Sequence, residues 1–220
     1  MGRPARYTLA DKTVVPSVTT ILAILGFNKR QLMHWAWKMG MDGKDYKVVG
    51  GDAAMVGTKC HTAAESISRG LPVPDDLLAG LSHEQAEQVE RGVGAFRSWL
   101  ASTKVVILES EVSLVSEIFR YGGTMDAIVR LPDAPENEVQ VLDFKTGALY
   151  PEHLLQLAGY SQLVEENRAG KIVTGYHLLR FGKEDGSFTH GSYPRHLEPW
   201  QMFKNARELY DLQKKIERLV

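Results

Sequence analysis

The sequence predicts a mixed α/β fold in which helices come first, a β-meander follows, and a helix, a strand pair and a last helix close the chain. Three observations lead there. Helical spacing of apolar residues runs to about residue 102, β-branched and partly alternating stretches replace it from 105 to 145, and helical spacing then returns. The segment Pro132-Asp133-Ala134-Pro135-Glu136-Asn137 is turn chemistry between two such stretches, which makes them a hairpin. The 220 residues, 44% apolar and 24% charged, suit one globular domain with a sizeable core.

The elements follow in order. Ser17 caps a first short helix whose apolar face comes from residues 20–25, with Gly26 as its stop. A second helix over 29–39 carries Trp35 and Trp37. Residues 40–51, rich in Gly, Lys and Asp, read as a loop. A third helix spans 52–69 and ends at Gly70, and a loop holding Pro72 and Pro74 leads to a fourth at 82–102. Strands are expected at 105–115, 118–131 and 139–145. Pro151 opens a fifth helix over 151–166. Residues 171–181 and 187–193 form a strand pair about Gly182 and Gly186, and 198–219 is an amphipathic tail helix.

Charge and composition exclude several classes. With 26 basic and 27 acidic residues the net charge is −1, so any basic surface is local. Cys60 is the only cysteine, which excludes a disulfide framework, a four-cysteine zinc site and a cysteine-ligated iron–sulfur cluster. A reducing, intracellular setting fits best. No apolar run is long enough to span a membrane. Met1 to Ala10 has Arg3 and Arg6 but no apolar stretch behind them, so it does not read as a secretory signal, and Gly2 lacks a myristoylation context.

The hairpin carries the chemistry. A turn centred between Ala134 and Pro135 sets Asp126 opposite Asp143, and Lys145 shares the Asp143 face of its strand. Facing carboxylates repel unless something holds them, and a divalent cation does so well. The alternative is a surface strand with ordinary Asp–Lys contacts. On the third helix His61 and Glu65 are four apart and share a face, as a metal-ligand pair or as a surface pair. Gln156 and Tyr160 have the same spacing on the fifth helix, where they could orient Lys145 or hold a phosphate, or simply line the core. Trp35 and Trp37 suit base stacking or burial. Arg180 suits a phosphate contact or an ion pair. Glu109 and Glu111 share a strand face and read as solvated carboxylates, with Glu111 near enough to the hairpin to reach it.

Taken together, Gly57-Thr58-x-x-His61-x-x-x-Glu65, Gly123-Thr124-Met125-Asp126, Asp143-Phe144-Lys145-Thr146-Gly147 and Gln156-x-x-x-Tyr160 resemble the PD-(D/E)XK nuclease superfamily. Within it they are similar to the RecB-like branch, with its phage exonuclease-like proteins and the mitochondrial genome maintenance exonuclease group. Pro16-Ser17-Val18-Thr19-Thr20-Ile21-Leu22, followed by Trp35, resembles the start of such proteins. The resemblance covers about residues 15–195.

It implies a restriction-endonuclease-like core: a central mixed β-sheet with an antiparallel meander, flanked by helices. The single domain, 1–220, would divide into a helical region at 15–50 over the site, a core at 52–195 and a terminal helix at 196–220. His61, Asp126, Asp143 and the Phe144 carbonyl would hold Mg²⁺ or Mn²⁺. Lys145 would position or deprotonate the attacking water, with Asp143 and Asp126 catalytic beside it and Glu65 supporting the helix. Gln156, Tyr160, Ser17, Thr19, Trp35, Thr58 and Arg180 would face the substrate. A basic groove would draw on Lys29, Arg30, Lys38, Lys44, Lys47 and Lys59, with Arg180 and Lys183 opposite.

The function implied is a metal-dependent DNA exonuclease of recombination, repair or processing, with DNA as its partner and room for a recombination or repair protein. A structure-selective or nicking endonuclease, a non-catalytic DNA-binding subunit and a hydrolase of another substrate stay open. Oligomeric state has no signal in the sequence.

Overall fold

The computed structural model describes residues 6–27 and 29–219. Met1, Gly2 and Arg3, read above for a targeting signal, lie outside them. A small hairpin of β1 (Tyr7–Thr8) and β2 (Val14–Val15) precedes α1 (Val18–Leu22), which continues as a 3-10 turn to Leu25. Then come α2 (Lys29–Met41), α3 (Tyr46–Ser68) and α4 (His83–Thr103). The sheet strands are β3 (Val106–Ser116), β4 (Tyr121–Arg130), β5 (Glu138–Lys145), β6 (Ile172–Phe181) and β7 (Phe188–Pro194), with α5 (Glu152–Asn167) between β5 and β6 and α6 (Leu197–Glu217) last.

The sheet is five-stranded and mixed, in the order β3-β4-β5-β6-β7. Every pair is antiparallel except β5 with β6, which is parallel because α5 carries the chain back across the sheet. This is the predicted mixed sheet flanked by helices. Strand β5 lies at its centre, and its run Val139 to Phe144 is buried apart from Gln140.

Helices cover both faces. On one, Val139, Val141, Tyr176 and Leu178 pack with Leu157, Leu163 and Val164 of α5 and Phe203 of α6. On the other, Leu142, Phe144, Leu179 and Phe181 pack with Cys60 of α3 and Phe96 and Trp99 of α4. Alternation along β5 thus sends Asp143 and Lys145 toward α5 and Phe144 toward α4. Among the described residues no helix is long and apolar enough to cross a membrane.

Two expectations need correction. Residues 46–51 are helix rather than loop. Asp45 caps α3 by accepting the Lys47 N–H at 2.8 Å, and Gly50 lies beside the Trp35 ring, so packing against α2 overrides the weak helix propensity of two glycines. Helix α3 therefore runs unbroken across the boundary expected at residue 52. The hairpin β1–β2 was not expected at all, because strands of two residues carry no readable period.

Candidate active site

The site forms where β4 and β5 part. Their ladder pairs Val129 with Gln140, Ile128 with Val141 and Ala127 with Leu142, the register of a turn centred at Ala134 and Pro135. The next step would set Asp126 against Asp143. There the Phe144 N–H donates to Asp126 Oδ2 at 2.5 Å. A side chain has taken over a ladder bond, and the strands open at the level of the two aspartates.

The α3 layer reaches this fork from one side. His61 Nδ1 lies 3.3 Å from Asp126 Oδ1, and its ring meets Phe144 edge-on at 5.8 Å. Burial opposes a charge on His61, but the Asp126 hydrogen bond and the charges of Asp126 and Asp143 outweigh it and raise the imidazole pKa. Gly57, one turn earlier, lets α3 approach the loop after β5, since a Cβ there would lie 2.9 Å from Thr146 Oγ1.

The α5 layer reaches it from the other. Lys145 Nζ lies 2.5 Å from Asp143 Oδ2 and donates to Gln156 Oε1 at 3.4 Å. Gln156 Nε2 donates to Asp143 Oδ1 at 3.2 Å and to the Tyr160 hydroxyl at 2.9 Å. The four-residue spacing of Gln156 and Tyr160 is what lets one helix face serve the whole chain. Asp143 is 3% exposed. Its burial pushes the carboxyl pKa up, and the neighbouring Lys145 offsets only part of that rise. Burial also pushes the Tyr160 phenol up. Gly123 makes room for Tyr160: a Cβ there would lie 2.6 Å from the ring.

The other predicted residues are distributed around this centre. Glu65 pairs with Arg69 at 2.7 Å, one turn beyond His61. Thr58 is exposed and donates to the Ala54 carbonyl at 3.0 Å. Ser17 caps α1 by accepting the Thr20 N–H at 3.0 Å. Thr19 lines a cleft of about 300 Å³ together with Phe27, Lys29, Leu32 and Gln156, so the N-terminal region does border the polar chain. Trp35 is half-buried and meets Tyr46 edge-on at 6.4 Å, whereas Trp37 is 60% exposed. Arg180 is exposed, registers beside Lys145 on β6, and lines a second cleft with Thr146, Gly147 and Lys183.

One residue read above as a solvated carboxylate within reach of the hairpin lies at the site. Glu111 of β3 has ligand oxygen in a group with His61 and Asp126 whose donor atoms lie within 4.8 Å of one another. Burial, then the charges of Asp126 and Glu65, push its carboxyl pKa up to about 7. Glu109, expected to share its face, instead pairs with Arg168 at 2.7 Å. An imidazole and two carboxylates suit a divalent cation, so the donor set fits the metal that the nuclease resemblance implies.

No family model matches the chain, and no curated protein sequence matches it. Solved structures do. A candidate exonuclease from Eubacterium rectale is 14% identical with a TM-score of 0.50, over 74% of this chain and 65% of that one, so the chain spans less than two thirds of that protein. The alkaline exonuclease LHK-Exo from Laribacter hongkongensis is 14% identical with a TM-score of 0.41, over 76% of this chain and 95% of that one. LHK-Exo in complex with dAMP is 16% identical with a TM-score of 0.40, over 76% and 88% of the two chains. The likeness to the Eubacterium rectale protein, at 14% identity, is one of fold alone.

Proposed function

We propose that the chain is a metal-dependent DNA exonuclease of the PD-(D/E)XK type, hydrolysing phosphodiester bonds in recombination, repair or processing. One observation carries the reading. Two carboxylates from adjacent strands, a lysine paired to one of them and a histidine from a third element converge on a single fork in the sheet. A surface strand has no use for a buried aspartate bonded to Lys145 and Gln156 at once.

Asp126 and His61 would hold Mg²⁺ or Mn²⁺, with Asp143 beside them. The cation supplies charge neutralisation and Lewis-acid polarisation of the phosphodiester when bound. Lys145 brings its Nζ to the fork, where it would stabilise the negative charge that develops on the phosphoryl oxygens and orient the attacking water. Gln156 fixes both Lys145 and Asp143, and Tyr160 fixes Gln156, so the lysine is positioned before substrate arrives. The cleft of Thr19, Phe27, Lys29 and Leu32 offers apolar and cationic surface next to Gln156 for a strand end, and Arg180 offers a phosphate contact on the opposite side.

The test is cleavage of end-labelled linear and covalently closed circular DNA, single- and double-stranded, with Mg²⁺, Mn²⁺ or EDTA, for wild type and Lys145→Ala. Metal-dependent loss of linear DNA alone, absent in the variant, is the expected result. Cutting of circles would replace the reading with an endonuclease. Binding without cleavage under every condition would leave a DNA-binding subunit.

A further inference from the structure

We infer that Glu111 is a ligand of the divalent cation at this fork, so that the ligand set extends to a third strand, β3; the inference rests on the metal-dependent reading above. The register places it. Ser110 pairs with Ala127 and Val112 with Met125, which sets Glu111 abreast of Asp126 just as β5 sets Asp143 abreast of it on the other side. Three neighbouring strands thus carry an acidic residue at one level of the sheet.

The backbone at Glu111 is the second observation. Its φ is +53°, the left-handed region, in the middle of an eleven-residue strand. A non-glycine residue is held there only when its surroundings demand it, and such positions gather at functional sites. The local consequence is visible in the neighbours. Glu109, two residues before it, pairs with Arg168, and Ser113, two residues after it, meets Thr124 at 2.6 Å. The left-handed residue breaks the pleat between them, and the Glu111 carboxylate joins the His61–Asp126 group instead.

The third observation is the balance of partners. Asp143 has Lys145 and Gln156, Asp126 has His61 and the Phe144 N–H, and Glu65 has Arg69. Among the described residues Glu111 makes no ion pair and no hydrogen bond, although it is half-buried beside another carboxylate. A cation shared with Asp126 and His61 supplies what it lacks.

The test is Mn²⁺ binding by calorimetry on the full chain, with thermal melting alongside, for wild type, Glu111→Gln, Glu111→Gly, Glu109→Gln and Asp126→Asn. Glu111→Gln and Glu111→Gly should each weaken Mn²⁺ binding about tenfold or more, and Glu109→Gln should keep the wild-type affinity. Glycine occupies the left-handed region freely, so Glu111→Gly should melt no lower than wild type while binding the ion less well. That pairing separates a ligand from a residue that merely holds the strand. Glu111 variants that bind Mn²⁺ like wild type, with Asp126→Asn impaired, would overturn the inference and leave the metal reading standing. A Glu111→Gly protein of normal affinity beside a weakened, low-melting Glu111→Gln would overturn it in favour of a structural role. Wild type that binds no Mn²⁺ would overturn both.

Discussion

The two faces of the sheet bury polar groups in opposite ways. Toward α5, Asp143, Lys145, Gln156 and Tyr160 form a bonded chain that borders an open cleft. Toward α4, the buried His177 and the half-buried His190 stack at 4.9 Å and share a hydrogen bond of 2.7 Å, with Trp99 edge-on to His190. The Asp143–Lys145–Gln156–Tyr160 chain is bonded from end to end, whereas His177 Nε2 and the Trp99 indole N–H are buried with no hydrogen-bond partner among the described residues. The difference is where the network ends. One leads to solvent at the parting of two strands, and the other stops at two imidazoles with one ring nitrogen left unpartnered. Buried polarity alone therefore does not mark a site; a polar chain with an open end does.

That contrast can be broken at several points. Lys145→Ala has the largest expected effect, a loss of cleavage of roughly 10³-fold with DNA binding retained; near-normal cleavage in the gel assay would remove the α5 face from the chemistry. Phe96→Ala, on the α4 face, should cost about 3–5 kcal/mol in urea unfolding and spare the rate of whatever folded protein remains. A selective loss of turnover there would show that the α4 face is catalytically coupled.

The histidine pair sharpens the comparison through pH. Burial holds His177 well below its ordinary 6.5, down to about 4, with the His190 charge adding to the effect. Between those values the unfolded chain binds the extra proton, so stability rises with pH across the window and is lost as pH falls through it. The loss attributable to His177 is roughly 2–3 kcal/mol between pH 7 and pH 4, and His177→Asn should flatten that part of the curve in denaturant titrations. An unchanged slope would show the pair to be hydrated. Trp37→Ala has the smallest expected effect, within about 0.5 kcal/mol in thermal melts, because its ring is mostly exposed on α2 and stacks only on His34. A larger drop would place α2 among the elements that hold the fold.

The legible parts of the molecule were those governed by local spacing. Gln156 and Tyr160 follow from the helical period, and the β4–β5 register follows once the turn is centred between Ala134 and Pro135. Glu111 was legible only as a solvated carboxylate within reach of the hairpin, because nothing in a glutamate flanked by strand residues announces a left-handed backbone; the tertiary setting imposes it. The start of α3 escaped for a similar reason. Gly50 and Gly51 argue for a loop until the Trp35 ring is seen packed beside one of them. The parting of β4 and β5 was also hidden, since it depends on one side-chain oxygen capturing one backbone N–H.

The central place of β5 has a consequence for the order in which the chain acquires shape during synthesis. The meander β3–β4–β5 can close as soon as residue 145 has emerged, but the parallel partner β6 arrives only after α5 has been made and laid across the sheet. In that interval β5, an apolar strand ending in Asp143-Phe144-Lys145, is an unpaired edge with its hydrogen-bonding groups exposed. The strand that bears Asp143 and Lys145 is thus the one most open to pairing with another nascent copy. Slow passage of the ribosome through residues 146–181 would lengthen that exposure, and α5 is the element whose prompt folding ends it.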